Sequence, residues 1–154
     1  MPNAKPPHKE TNELCTDKQR LEMVRLAIEP FPYFSLEAIE LSLGGTSYSF
    51  DTITELQKRE PDTSFSFLIG ADMIEYLPKW YRIDELVELV QMVGVKRPGH
   101  ESESNYPVTL IEAPQIDLSS TMLRKRLADK KDVSMLIPNE VQMYIRQEHL
   151  YESR

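Results

Sequence analysis

Cysteine is almost absent from this 154-residue chain: Cys15 stands alone, which excludes an intrachain disulfide and fits a reducing compartment. Long apolar runs are missing too. No stretch approaches a membrane span, and the opening Met1-Pro-Asn-Ala-Lys-Pro-Pro-His-Lys9 lacks the apolar core of a signal peptide, so a cytoplasmic protein without membrane contact is expected. Positive charge is in deficit, with 18 Lys and Arg against 25 Asp and Glu for a net charge of -7. That balance disfavours general affinity for nucleic-acid backbone, although a local basic cluster can still hold one phosphate group. There are only three histidines, His8, His100 and His149, and no set of protein metal ligands is read from the chain. Internal repeats and a domain linker are also lacking, so residues 1–154 are expected to form a single domain with a sizeable core.

What is present is an alternation of short apolar runs with helical periodicity. Residues 1–13 are polar and proline-rich and read as a loop. Thr16 or Asp17 caps a helix with Leu21, Val24 and Ile28 on one face, ending before Pro30. Phe34 to Leu43 alternates and is expected to be a strand closed by Gly44-Gly45. A helix capped by Asp51 then runs to about Glu60 with Ile53 and Leu56 inward. Ser64 to Ile69 is a strand. Asp84 caps a short helix, Met92 to Val95 is a buried strand, and Val108 to Ile111 is another. Ser119 to Thr121 open a helix, and Pro138 starts a last one with Val141, Tyr144 and Ile145 inward. The pattern implies an α/β fold with a mainly parallel sheet.

Three stretches carry chemistry. In Ile69-Gly-Ala-Asp-Met-Ile-Glu-Tyr-Leu-Pro-Lys-Trp-Tyr81, Gly70 permits close backbone approach where a parallel strand ends, the place where ligands collect in open α/β sheets. Asp72 can accept hydrogen bonds from a ribose or open the next helix, and Trp80 and Tyr81 offer two flat faces. Thr46-Ser-Tyr-Ser-Phe-Asp-Thr52 places backbone donors at a positive helix end, suited to a carboxylate, though a plain helix start explains the same letters. In Leu118-Ser-Ser-Thr-Met-Leu-Arg124, hydroxyls, free N–H groups and a guanidinium one turn inside converge as they do around phosphate oxygens, while Ser and Thr also cap many helices that bind nothing. Lys96-Arg97 at a strand end can face phosphate or solvent, and His8 and Lys9 likewise.

Met1-Pro-Asn with Pro6-Pro-His-Lys9, Ser47-Tyr-Ser-Phe-Asp-Thr52, Ile69-Gly-Ala-Asp72 with Leu77-Pro-Lys-Trp-Tyr81, Val95-Lys-Arg-Pro-Gly99 and Leu118 to Arg124 together make the chain resemble bacterial nicotinate-nucleotide adenylyltransferase over essentially its whole length. The resemblance implies a Rossmann-like nucleotidyltransferase fold and adenylyl transfer from ATP to nicotinate mononucleotide with Mg²⁺. It implies that Gly70 and Asp72 hold the adenosine ribose, and that Ser119, Ser120, Thr121 and Arg124 face the ATP phosphates, with Thr121 and Arg124 catalytic. Trp80 would stack on the nicotinate ring, backbone N–H groups at Ser49 and Tyr81 would take its carboxylate, and Lys9 would lie near the substrate phosphate. The family's His-x-Gly-His pair has no counterpart at that spacing. The resemblance therefore also implies an N-terminally truncated version, with a non-catalytic fragment retaining a mononucleotide pocket as the alternative. It leaves room for a homo-oligomer.

Overall fold

The computed structural model describes residues 1–5, 7, 14–96, 104–114 and 116–152. These fall into two compact units, one formed by Met1–Thr46 with Asp117–Arg154, the other by Ser47–Ile116.

The unit 47–116 holds the sheet. Strands β1 (Ser66–Gly70), β2 (Gln91–Val95) and β3 (Val108–Ile111) pair in parallel in that order. Met92 lies between Phe67 and Val108, and Gly94 between Ile69 and Leu110. Their shared face carries the buried Ile69, Met92 and Gly94. A side chain at 94 has no room: a Cβ there would stand 2.6 Å from Ile74 Cδ1 and 3.0 Å from both Leu110 Cδ2 and Val108 Cγ1. Glycine in the central strand is thus what lets Ile74 lie flat on the sheet. The opposite face leaves Leu68 64% and Ile111 42% exposed, unusual where parallel sheets are normally covered on both sides.

Among the described residues, three helices and one 3-10 turn join the sheet in this unit: α3 (Ser49–Arg59), α4 (Ala71–Ile74), the turn Leu77–Lys79 and α5 (Ile83–Leu89), counting after α1 and α2 of the other unit, α1 being Asp17–Ile28 and α2 Ile39–Leu43. α3 buries Phe50, Thr52, Ile53 and Leu56 on one stripe. Thr52 satisfies its hydroxyl by donating to Tyr48 O at 3.1 Å, as a buried hydroxyl must. Gln57 donates to Leu89 O at 3.0 Å, tying α3 to the end of α5. The helix and strand positions agree with the sequence reading, with shifts at the ends. α3 begins two residues before the expected Asp51 cap, with Tyr48 at the cap and Asp51 in the first turn. α5 is preceded by Arg82, so Asp84 is its second residue instead of its cap. In both, an acid inside the first turn favours the helix through its dipole without a side-chain cap.

The other unit is helical, with α1, α2, α6 (Ser120–Ala128) and α7 (Asn139–Gln147). Thr16 and Gln19 form a reciprocal capping box at the start of α1. Val141, Ile145 and Leu150 form the core, against which Met23, Leu26 and Ala27 of α1, together with Cys15 and Tyr151, pack. Arg20 donates to Asn3 O at 2.5 Å and fastens the chain's first residues to α1.

The strand expected over 34–43 is absent; residues 39–43 form α2 instead. Ile39 and Leu43 are four apart, a helical spacing as much as an alternating one, and a short window does not separate the two periods. Gly44 and Gly45, at φ +67° and +70°, end the helix.

Candidate active site

The carboxyl end of β1 runs directly into α4 through Gly70, whose extended backbone is the cap position. Asp72 is exposed and is the second residue of α4, so it does not open that helix. Its carboxylate instead lies back over Gly70: a Cβ at 70 would meet Asp72 Oδ1 at 2.8 Å. The two residues expected to act together on a ribose are in contact, at the sheet end where such ligands gather. Among the described residues a shallow recess nearby is lined by Ile74, Glu75, Pro78, Ser104 and Asn105.

After the turn Leu77–Lys79 the chain presents Trp80 and Tyr81, and their rings go to different partners. Trp80, half-buried, packs on Phe67 of β1 with centroids 5.9 Å apart and planes at 86°. Tyr81, 48% exposed, lies on Tyr48 at 4.7 Å and meets Phe50 edge-on at 6.3 Å. The Tyr81 contacts set that residue against the start of α3, where no side chain caps the helix, while Trp80 stays on β1. Ser49 is the first residue of that helix. Uncapped N–H groups at a helix start carry the positive end of the dipole and suit an anion.

Arg82 joins the same assembly. It sits at φ +53° and ψ +43°, its guanidinium lies 3.8 Å over the Phe50 ring, and Nε donates to Glu85 Oε1 at 2.6 Å with a second N–H on Oε2. The hydrogen bonds from Arg82 pull the Glu85 carboxyl below its ordinary range, and reciprocally Glu85 raises the guanidinium. Tyr48, Phe50 and Arg82 escaped the sequence reading, which took the 46–52 run for its polar donors. The signal was there in aromatic residues two apart.

In the other unit, Ser119 caps α6, its Oγ accepting from Met122 N at 3.2 Å. Arg124 donates to Ser120 Oγ at 3.3 Å, so hydroxyl and guanidinium converge over one turn as expected. Ser119, Ser120, Thr121 and Arg124 are all exposed and open to a ligand. Lys9, His8, Arg97 and His100 lie outside the described residues. Lys96 is 3.4 Å from Glu112, and His149 is exposed 3.1 Å from Glu152. Among the described residues no three His, Cys, Asp or Glu side chains group as metal ligands, and no helix is long and apolar enough to cross a membrane.

Comparison with known proteins connects these features. The cytidylyltransferase-like family matches residues 1–126. The nicotinate-nucleotide adenylyltransferase of Bacillus subtilis (strain 168) is 48% identical over 153 residues, spanning 99% of this chain and 81% of the relative. Among solved structures, the Plasmodium falciparum nicotinic acid mononucleotide adenylyltransferase complexed with NaAD superposes with a TM-score of 0.71 at 18% identity, covering 96% of this chain and 78% of that one. The same protein complexed with APC gives 0.57 at 21%, covering 70% and 59%. At such identities these structures speak for the fold, which is the Rossmann-like nucleotidyltransferase fold with a mainly parallel sheet. Family match and high identity over nearly the whole sequence agree: the chain belongs to the cytidylyltransferase-like family and, within it, to the nicotinate-nucleotide adenylyltransferases.

Proposed function

We propose that this chain transfers the adenylyl group of ATP to nicotinate mononucleotide, a step of NAD biosynthesis carried out in the cytoplasm, with residues 1–154 acting as one nucleotidyltransferase domain. A phosphate oxygen of the mononucleotide attacks the α-phosphorus of ATP, the bond to the bridging oxygen breaks, and pyrophosphate leaves as nicotinate adenine dinucleotide forms. Such a reaction needs positioning and charge stabilisation more than covalent help from the protein.

The observation that carries this reading is the contact of Tyr81 with Tyr48 at 4.7 Å, which sets an aromatic segment beside an uncapped helix start. A flat face and N–H donors side by side match a nicotinate ring with its carboxylate. Trp80 stacks on the ring, and backbone N–H groups of Ser49 and Tyr81 take the carboxylate. Gly70 and Asp72 receive the adenosine ribose. In the helical unit Ser119, Ser120, Thr121 and Arg124 face the triphosphate, where Arg124 and Thr121 stabilise charge on the transferred group. Lys9 serves the phosphate of the mononucleotide. Mg²⁺ keeps most of its ligands as phosphate oxygens and water, so it fits a site without a protein cage and enters with ATP, neutralising phosphate charge when bound.

The test is pyrophosphate release by the 154-residue chain with ATP, Mg²⁺ and nicotinate mononucleotide, each substrate omitted in turn. Release that requires both substrates is expected, with a loss of about a hundredfold in Arg124→Ala. Binding of the mononucleotide without release assigns the chain to the non-catalytic alternative.

A further inference from the structure

We propose that Arg82 is a positioning residue that sets the preference of this site for a carboxylate over a carboxamide; the proposal rests on reading Ser49, Trp80 and Tyr81 as the nicotinate site. A non-glycine residue in the left-handed region is held there only when its surroundings over-determine it. At Arg82 they do. The guanidinium covers Phe50, the second residue of α3, at 3.8 Å, and grips Glu85 of α5 through two N–H groups. The backbone carbonyl of Arg82 accepts from Leu86 N at 2.9 Å. One side chain thereby pins the residue after Tyr81 to the starts of two helices.

The consequence is chemical. A nicotinate carboxylate and a nicotinamide carboxamide have nearly the same shape, so contact area cannot separate them. Two fixed N–H donors can, because the carboxamide turns its own NH₂ donors toward at least one of them, and a site built for one hydrogen-bonding pattern rejects the other only while its donors stay in place. Tyr81 cannot shift without the backbone at 82, and the left-handed turn there sets the angle at which the Trp80–Tyr81 segment enters α5. The guanidinium adds a positive charge on the Phe50 side of the same helix start. Neither Trp80 nor Tyr81 has another ionic anchor among the described contacts.

Trp80 is the sole tryptophan of the chain, so its emission reports this segment alone. The experiment titrates the wild-type chain, Arg82→Gly, Arg82→Lys and Glu85→Gln with nicotinate mononucleotide and with nicotinamide mononucleotide, following Trp80 fluorescence, and records thermal unfolding of each. Glycine accepts the left-handed backbone without strain, so Arg82→Gly is expected to keep its melting temperature while binding of the acid weakens about fivefold or more. Binding of the amide should change less, and the acid-to-amide ratio should fall toward one. Arg82→Lys, which retains the cation over Phe50, should recover part of the ratio. Glu85→Gln leaves the backbone at 82 untouched and should lower the ratio in the same direction, which keeps the proposal testable if the glycine variant folds poorly. An unchanged ratio in both Arg82→Gly and Glu85→Gln overturns the role of Arg82 while leaving the nicotinate site standing. Wild-type emission unmoved by nicotinate mononucleotide overturns the acceptor site itself, and the Arg82 proposal with it.

Discussion

Gly94 in the central strand is the point where one methyl group most directly tests the packing that carries the site. In Gly94→Ala the new Cβ would stand 2.6 Å from Ile74 Cδ1, about 1 Å inside the 3.5–4.0 Å at which carbon atoms pack. Ile74 is only 1% exposed, so its terminal methyl has no solvent side to swing into, and Leu110 and Val108 close the flanks at 3.0 Å. Overpacking of this kind costs about 1–3 kcal/mol. The stiffer unfolded chain of alanine returns about 0.4–1 kcal/mol, leaving a net loss of roughly 1–2 kcal/mol. Ile74→Val removes the clashing atom itself and by itself costs about 0.5–1.5 kcal/mol. The double variant should therefore be more stable than the sum of the single changes predicts, with a coupling of roughly 1 kcal/mol. Urea unfolding followed by circular dichroism measures this. With a slope of about 1–3 kcal/mol per molar urea, Gly94→Ala should lower the midpoint by roughly 0.5–1 M, and adding Ile74→Val should return part of it. Because Ile74 ends the four-residue helix that carries Asp72, ATP affinity should follow the same pattern. Additivity of the two changes within about 0.5 kcal/mol, or a Gly94→Ala chain as stable as wild type, refutes the packing argument.

Two further changes probe neighbouring claims. Gly70→Ala is expected to keep the fold, since φ -76° suits alanine, but its Cβ displaces the Asp72 carboxylate. Loss of a charged hydrogen bond to the ribose should raise the KM for ATP by about tenfold or more, measured by pyrophosphate release; an unchanged KM removes Gly70 and Asp72 from the ATP site. The phenol of Tyr151 is pushed above its ordinary value, first by burial and then by its hydrogen bond with Cys15, 3.3 Å away. A raised acid in the folded state stabilises fully below its unfolded value and loses that stability as pH climbs from about 10. Tyr151→Phe should lose less stability between neutral and strongly alkaline pH than wild type in denaturant titrations, and identical alkaline profiles contradict the assignment.

The residues alone determined a good deal. Apolar runs bounded by Gly, Pro and Asp placed β1, β2 and β3 and the crossover helices, because short strands are marked locally by β-branched and other apolar residues. Ser119 and Arg124 were legible at the start of α6, since a cap and a residue one turn inside are local in sequence. Gly70 and Asp72 were legible for the same reason, although Asp72 proved to lean over Gly70 instead of opening a helix. Where the local pattern served two periods it misled: Ile39 and Leu43 lie in a helix. Only the tertiary structure decided what lies beside the aromatic pair. Nothing in the spacing of Tyr48, Phe50, Phe67 and Arg82 shows that Trp80 packs on β1 while Tyr81 and Arg82 close on the start of α3. The Tyr81 and Arg82 contacts join residues some thirty positions apart, through a ring contact and a cation over an aromatic face, and Trp80 reaches back thirteen positions to Phe67. Such interactions leave no periodic trace in a sequence, because their partners meet only after the sheet and its helices have brought them together.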